Sequence, residues 1–250
     1  MTTTKIRNTL AKVVILCCFL GLTLQANAAS ILIDDFVTTQ SITATASSPN
    51  AFSSVAAAEA LGGERDMELQ LTGGFTSLTL SANPFGGELL VHDSGATVTG
   101  SSVTVWDGLD NAAAIDYTGL GGVDLATGQD SFLLTGVVAD LTGAISLTVY
   151  DASDATGGTS STASISLPGG ILAPTDMTLP YASFTTFGSN GAADFSNVGA
   201  LKLEISNTTS GSLDVIIGSV SAVPEPNSAV LFFAAAGLMI GRIRRRMSVR

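Results

Sequence analysis

Four stretches of this chain alternate strictly between apolar and polar residues, and that period of two leaves little choice of fold. Met67, Leu69 and Leu71 share one side of an extended segment, as do Leu78 and Leu80. Ile145, Leu147 and Val149 repeat the pattern with Ser146 and Thr148 opposed, and Leu201, Leu203 and Ile205 with Lys202 and Glu204 opposed. Successive side chains of a strand point to opposite faces, so these segments are half-buried strands. Gly-Gly pairs beginning at Gly62, Gly73, Gly86, Gly121, Gly157 and Gly169 punctuate the chain, and glycine adopts turn conformations that other residues resist. Many short strands with glycine turns predict an all-β fold, an antiparallel β-sandwich. The irregular spacing of the pairs excludes a solenoid. Only residues 55–61 and 112–115 have the composition for short helices, and residues 151–162 are expected to form a long surface loop.

Both ends depart from this pattern. Lys5, Arg7 and Lys12 precede an apolar run over residues 13–24, and Ala26-Asn27-Ala28 then places small residues where signal peptidase reads them. The mature chain is expected to begin at Ala29. Cys17 and Cys18 follow Leu16, not a small residue, and read as apolar members of the signal; its removal leaves no cysteine and no disulfide framework. At the other end, two prolines around Glu225 hold Pro224-Glu225-Pro226 extended, because each fixes its own φ and restricts the residue before it. Residues 228–241 carry no charge and as a helix would span about 21 Å, against a hydrocarbon core of about 30 Å. Arg242, Arg244, Arg245 and Arg246 should stay on the cytoplasmic side. The expected organisation is a signal peptide over 1–28, a sandwich over 29–222 and a terminal segment over 223–250. The sandwich is thus flanked by an N-terminal signal helix and a C-terminal transmembrane helix.

The order Val223-Pro224-Glu225-Pro226, a short apolar helix and an Arg-rich terminus resembles the PEP-CTERM sorting signal of Gram-negative exported proteins, processed by the membrane protease exosortase. The match covers only residues 224–250 and the valine before them. It implies export, recognition at Pro-Glu-Pro, transient residence in the inner membrane, loss of the tail and delivery to the cell surface or an exopolysaccharide matrix. Signal peptidase and exosortase are the implied partners, and no chemistry is implied for the carried domain. Separately, the stretch from Asp194-Phe195-Ser196-Asn197-Val198 through Leu201 to Ile205, followed by residues 213–220, resembles the last two strands of jelly-roll sandwiches related to carbohydrate-binding modules. That resemblance implies an extracellular polysaccharide as partner.

Charge narrows the partners further. Between Ala29 and Ala222 stand 20 acidic residues and only two basic ones, Arg65 and Lys202, a formal charge near −18. Nucleic acid and anionic membrane surfaces need clustered Lys or Arg, so both are excluded as partners of this domain. Catalytic resources are thin. His92 is the only histidine and no serine stands in a G-x-S-x-G setting, which leaves a Ser-His-Asp triad without support. A zinc site has no ligand set. Gly119-Leu120-Gly121-Gly122 lacks the remaining glycine of a dinucleotide fingerprint and reads as a turn. Trp106 ends a strand-like segment beside Val103 and Val105 and reads first as a core residue, with stacking on a sugar face as the alternative. No cofactor is implied beyond a structural calcium. Its oxygen ligands could come from Asp34 with Asp35, Asp107 with Asp110, or Asp151 with Asp154, none of which matches an EF-hand loop. The alternative for each is a solvated turn aspartate.

Together these observations describe an exported, non-catalytic surface or matrix protein, with glycan binding by its sandwich. Two other readings stay open: a secreted polysaccharide-active enzyme using a carboxylate pair, and a membrane-tethered adhesin whose tail is retained.

Overall fold

Each period-two segment becomes a strand of one of two antiparallel sheets. The computed structural model describes residues 29–207 and 211–224. The expected signal helix, transmembrane helix, Ala26, Ala28 and the sorting-signal residues after Pro224 lie outside the described residues. Among the described residues no helix is long and apolar enough to cross a membrane.

In chain order the strands are β1 (Ile31–Asp34), β2 (Gln40–Thr45), β3 (Asn50–Ala56), β4 (Glu64–Gly73), β5 (Ser77–Ala82), β6 (Leu90–Ser94), β7 (Thr99–Trp106) and β8 (Ser131–Ala139). They continue with β9 (Thr142–Asp151), β10 (Ser160–Pro168), β11 (Ile171–Pro180), β12 (Thr186–Phe187), β13 (Val198–Asn207), β14 (Asp214–Ile217) and β15 (Ser219–Val223). One sheet has seven strands in the order β12-β10-β9-β13-β7-β4-β3, and the other has eight, running β1-β15-β8-β14-β6-β5-β2 with β11 also on β8. Residues 213–220, read above as one strand, are divided at Gly218 into β14 and β15. The Gly218 N–H donates to the Thr135 carbonyl at 2.8 Å, and the bend lets both strands pair with β8.

The inward faces of the two sheets enclose a single core. Met67, Leu69 and Leu71 meet Ile145, Leu147, Val149, Leu201, Leu203 and Ile205 on one wall, and Leu78, Leu80, Leu90, Val215 and Ile217 form the other. Burial of this apolar area, at about 25 cal/mol per Å², is the main favourable term of folding. Few polar residues reach between the sheets. His92 and Ser102 face each other from opposite sheets, Nδ1 to Oγ at 2.8 Å.

Two expected helices are absent. Val55 and Ala56 belong to β3, where Val55 pairs with Arg65, and a single 3-10 turn, Leu61–Gly63, closes the hairpin. A β-branched residue inside a ladder loses little, whereas seven residues followed at once by two glycines are too short for a stable helix of their own. Residues 112–115 lie in an irregular segment held by backbone N–H groups around them. The loop expected over 151–162 is shorter, because Ser160, Ser161 and Thr162 already pair with β9.

Candidate functional site

Alternation along β4 sends Arg65, Met67, Leu69 and Leu71 into the core, and therefore sends Glu64, Asp66, Glu68 and Gln70 to the outer face of the seven-stranded sheet. The register carries this face across neighbouring strands. Phe52, Glu68, Val103, Glu204 and Ser146 form one row, and Asn50, Gln70, Ser101 and Ser206 the next. A depression of about 510 Å³ lies on these rows, lined by Asn50, Phe52, Glu68, Gln70, Ser101, Val103 and Glu204, with Ala113 at its rim. Its donors and acceptors are carboxylates, amides and a hydroxyl, and Phe52, 38% exposed, offers one aromatic face. Burial raises the Glu68 carboxyl above the usual value, opposed by the charge of Lys202. The Lys202 ammonium donates to Glu204 at 3.2 Å. Glu68 and Glu204 flank Val103 two strand spacings apart, roughly 10 Å.

One end of this face is covered by the segment that follows β7. It turns back at Gly108 (φ +98°), and Gly119 lies so close that a Cβ on it would fall 1.6 Å from the Asp107 carbonyl oxygen. Only glycine permits that approach. Glu64 Oε1 accepts the backbone N–H groups of Asp110 (3.1 Å) and Asn111 (2.8 Å), and Asp107 Oδ2 accepts that of Asp116 (2.7 Å). Asp110 is thereby brought over Glu64 and Asp66, with one carboxylate oxygen of each within 4.8 Å of the others.

The electrostatics of this end are one-sided. Burial pushes Asp66 up to about 6; the Ser54 hydroxyl opposes the rise, and repulsion from Glu64, Asp110 and Glu68 adds to it. Burial also lifts Asp107 to about 7, against the Asp116 N–H and with repulsion from Asp66, Asp110 and Asp116. For Glu64 burial works upward too, but the Asn111 N–H, the Ser54 hydroxyl and the Asp110 N–H together hold it below the usual glutamate value.

The inner face of the same strand is compensated. Arg65 Nη1 donates to both oxygens of Asp34, at 3.1 and 3.0 Å, and Arg65 Nε donates to Gln40 Oε1 at 2.9 Å. The Phe36 N–H (2.7 Å) and the Trp106 indole N–H (2.9 Å) complete the Asp34 carboxylate. Burial raises the Asp34 carboxyl, countered first by the charge of Arg65.

These placements correct several expectations. Trp106 is fully buried, so its ring has no face for a sugar; its indole serves Asp34 instead. Asp34, Asp35 and Glu59 do converge, but the Arg65 guanidinium already lies among them, 3.9 Å from Glu59, and repels a second cation. Asp151 and Asp154 build turns. Asp151 accepts from Ser153, Asn197 and the Asp194 N–H, and Asp154 from Thr156, Thr159 and Asn190. Those bonds, led by the Thr156 hydroxyl, hold Asp154 well below the usual aspartate value. His92 is buried in the core, and burial lowers it to about 4. Asp107 and Asp110 do come together, but with Glu64 and Asp66, which sequence reasoning passed over. The signal was present: two carboxylates at i and i+2 of an alternating strand share a face.

No family model matches the chain, and no curated protein matches it. Among solved structures it is similar to the family 11 carbohydrate-binding module from Clostridium thermocellum in complex with a β-1,3-1,4-mixed-linked tetrasaccharide. That likeness has 11% identity over 79% of this chain and 97% of the other, with a TM-score of 0.40. A family 30 carbohydrate-binding module of a Clostridium thermocellum cellulosomal cellulase aligns at 10% identity over 80% of this chain and all of the other, TM-score 0.41. An exo-β-agarase aligns at 11% identity over 80% of this chain but 26% of its own, TM-score 0.40.

Proposed function

We propose that this chain is an exported, non-catalytic surface or extracellular-matrix protein whose sandwich binds a polysaccharide across the outer face of the seven-stranded sheet. The observation that carries the reading is the open depression on that face, whose size falls in the range of about 300 to 1,000 Å³ usual for ligand sites. Its amides, hydroxyl and carboxylates suit the hydroxyl groups of a sugar, and Phe52 suits an apolar pyranose face. The strong negative charge of the domain favours a neutral polymer over an anionic one. Its only histidine is buried away from the surface, so no imidazole base stands beside an exposed hydroxyl among the described residues.

The terminal segments supply the route: removal of residues 1–28, recognition at Pro224-Glu225-Pro226, and release from the Arg242 to Arg246 tail by exosortase. Affinity electrophoresis of the full chain through gels with neutral or anionic soluble polysaccharides tests the binding. Retardation by a neutral polymer, weakened at least tenfold in a Phe52→Ala, Gln70→Ala double variant, is expected. Unaltered mobility in every gel breaks the reading. The separation of Glu68 and Glu204 favours one rival, a polysaccharide hydrolase, which predicts release of reducing ends that Glu68→Gln abolishes. Intact mass of the secreted protein tests the route, with Ala29 first and Arg250 absent as the expected result; a retained tail favours the tethered adhesin.

A further inference from the structure

The geometry points to a calcium site at the loop-covered end of the outer face, built from the carboxylates of Glu64, Asp66 and Asp110 with the Ser54 hydroxyl. Three observations meet there. First, the carboxylate oxygens lie within 4.8 Å of one another, about twice the calcium–oxygen distance of 2.3 to 2.6 Å, so a single ion between them can reach all three. Second, Asp66 is only 3% exposed and its Oδ1 is buried without a hydrogen-bond partner. Ser54 stands opposite Asp66 in the β3–β4 register, and its hydroxyl is the one neutral side chain that bears on the Asp66 carboxyl. A buried carboxylate oxygen left without a partner at the centre of an acidic cluster is costly unless a cation satisfies it. Third, no side chain among the described residues can be that cation. Arg65 and Lys202 are the only basic residues there; Arg65 points to the other side of β4 onto Asp34, and Lys202 is bonded to Glu204.

The donor set selects the metal. Hard oxygen ligands without nitrogen or sulfur suit calcium or magnesium. Magnesium keeps most of its water and takes one or two carboxylates, whereas three carboxylates and a hydroxyl, completed by water on the exposed Asp110 side, fit the larger, more flexible shell of calcium. Bound there, the ion ties the segment after β7 to β4 and fixes Ala113 at the rim of the depression.

The test uses the full chain, stripped with EDTA and titrated with calcium chloride by calorimetry, with thermal unfolding followed in parallel. One equivalent should bind saturably and Tm should rise with calcium concentration. Asp66→Asn and the exposed Asp110→Asn should each weaken binding tenfold or more, while Asp151→Asn leaves it unchanged. Asp110→Asn keeps the test sound if the buried substitution disturbs folding. No saturable binding by the wild type, undiminished binding by both cluster variants, or tighter binding of magnesium than of calcium would overturn the assignment.

Discussion

Strand β4 presents the same chemistry to two environments and resolves it in opposite ways. On its inner face a carboxylate is buried with a guanidinium, an amide, an indole and a backbone N–H all turned toward it. On its outer face, one residue to either side of Arg65, Glu64 and Asp66 are just as buried and meet no cation: Glu64 takes two backbone N–H groups, and Asp66 has only the Ser54 hydroxyl against the surrounding acids. A buried charge is tolerated when paired and hydrogen-bonded, and becomes a liability when it is not. The inner group therefore acts as a structural knot, and the outer one lacks a cation among the described residues.

Substituting the same residue type on each face is the strongest test of this contrast. Asp34→Asn should cost about 3 to 5 kcal/mol in a denaturant titration, because it leaves Arg65 buried and charged without its partner. A loss below about 1 kcal/mol would erase the distinction. A smaller effect sharpens it through His92, a buried polar group kept neutral instead of paired. Its folded pKa, about 4, lies below the ordinary histidine value of 6.5, so the unfolded chain takes up the proton first. Its stabilising contribution is complete above pH 6.5, declines as pH falls toward 4 and is then lost, roughly 3 kcal/mol in all. Asp66 and Asp107, raised to about 6 and 7, act in the opposite sense, favouring the folded state at acid pH. The difference between wild type and His92→Asn isolates the histidine, and a flat difference from pH 7 to 4 would contradict the assignment. Next, Trp106→Phe should cost about 1 to 3 kcal/mol through the lost Asp34 bond and a small void; an unchanged midpoint would remove the indole from the knot. Smallest of all, Asp66→Asn in EDTA should lie within about 0.5 kcal/mol of wild type or be more stable, since it removes repulsion and breaks no ion pair. A large loss in EDTA would show that Asp66 is part of the scaffold.

Period-two patterning made the sandwich legible because half-buried strands must write their burial into alternate residues, and Leu201 to Ile205 do so without exception. The depression and the acidic cluster were harder to foresee. Phe52, Glu68, Val103 and Glu204 come from four strands, and only the pairing register aligns them. The pairing of Asp107 and Asp110 with Glu64 and Asp66 depends on the loop turned back by Gly108 and Gly119, a long-range event with no local signature. Trp106 shows a related limit: its valine neighbours favour a place in the core, where it lies, but nothing in them indicates that Asp34, 72 residues earlier, receives its N–H.

The pairing of β1 with β15, Ile31 opposite Ala222, bears on when this molecule can become itself. The first strand to leave a ribosome or a translocation channel has no ladder partner except the last one. Closing that pair requires nearly the whole domain to be present, and contacts so distant along the chain form slowly. The eight-stranded sheet therefore stays unfinished until residues 219–223 emerge, so the topology ties the placement of the first strand to the synthesis of the last.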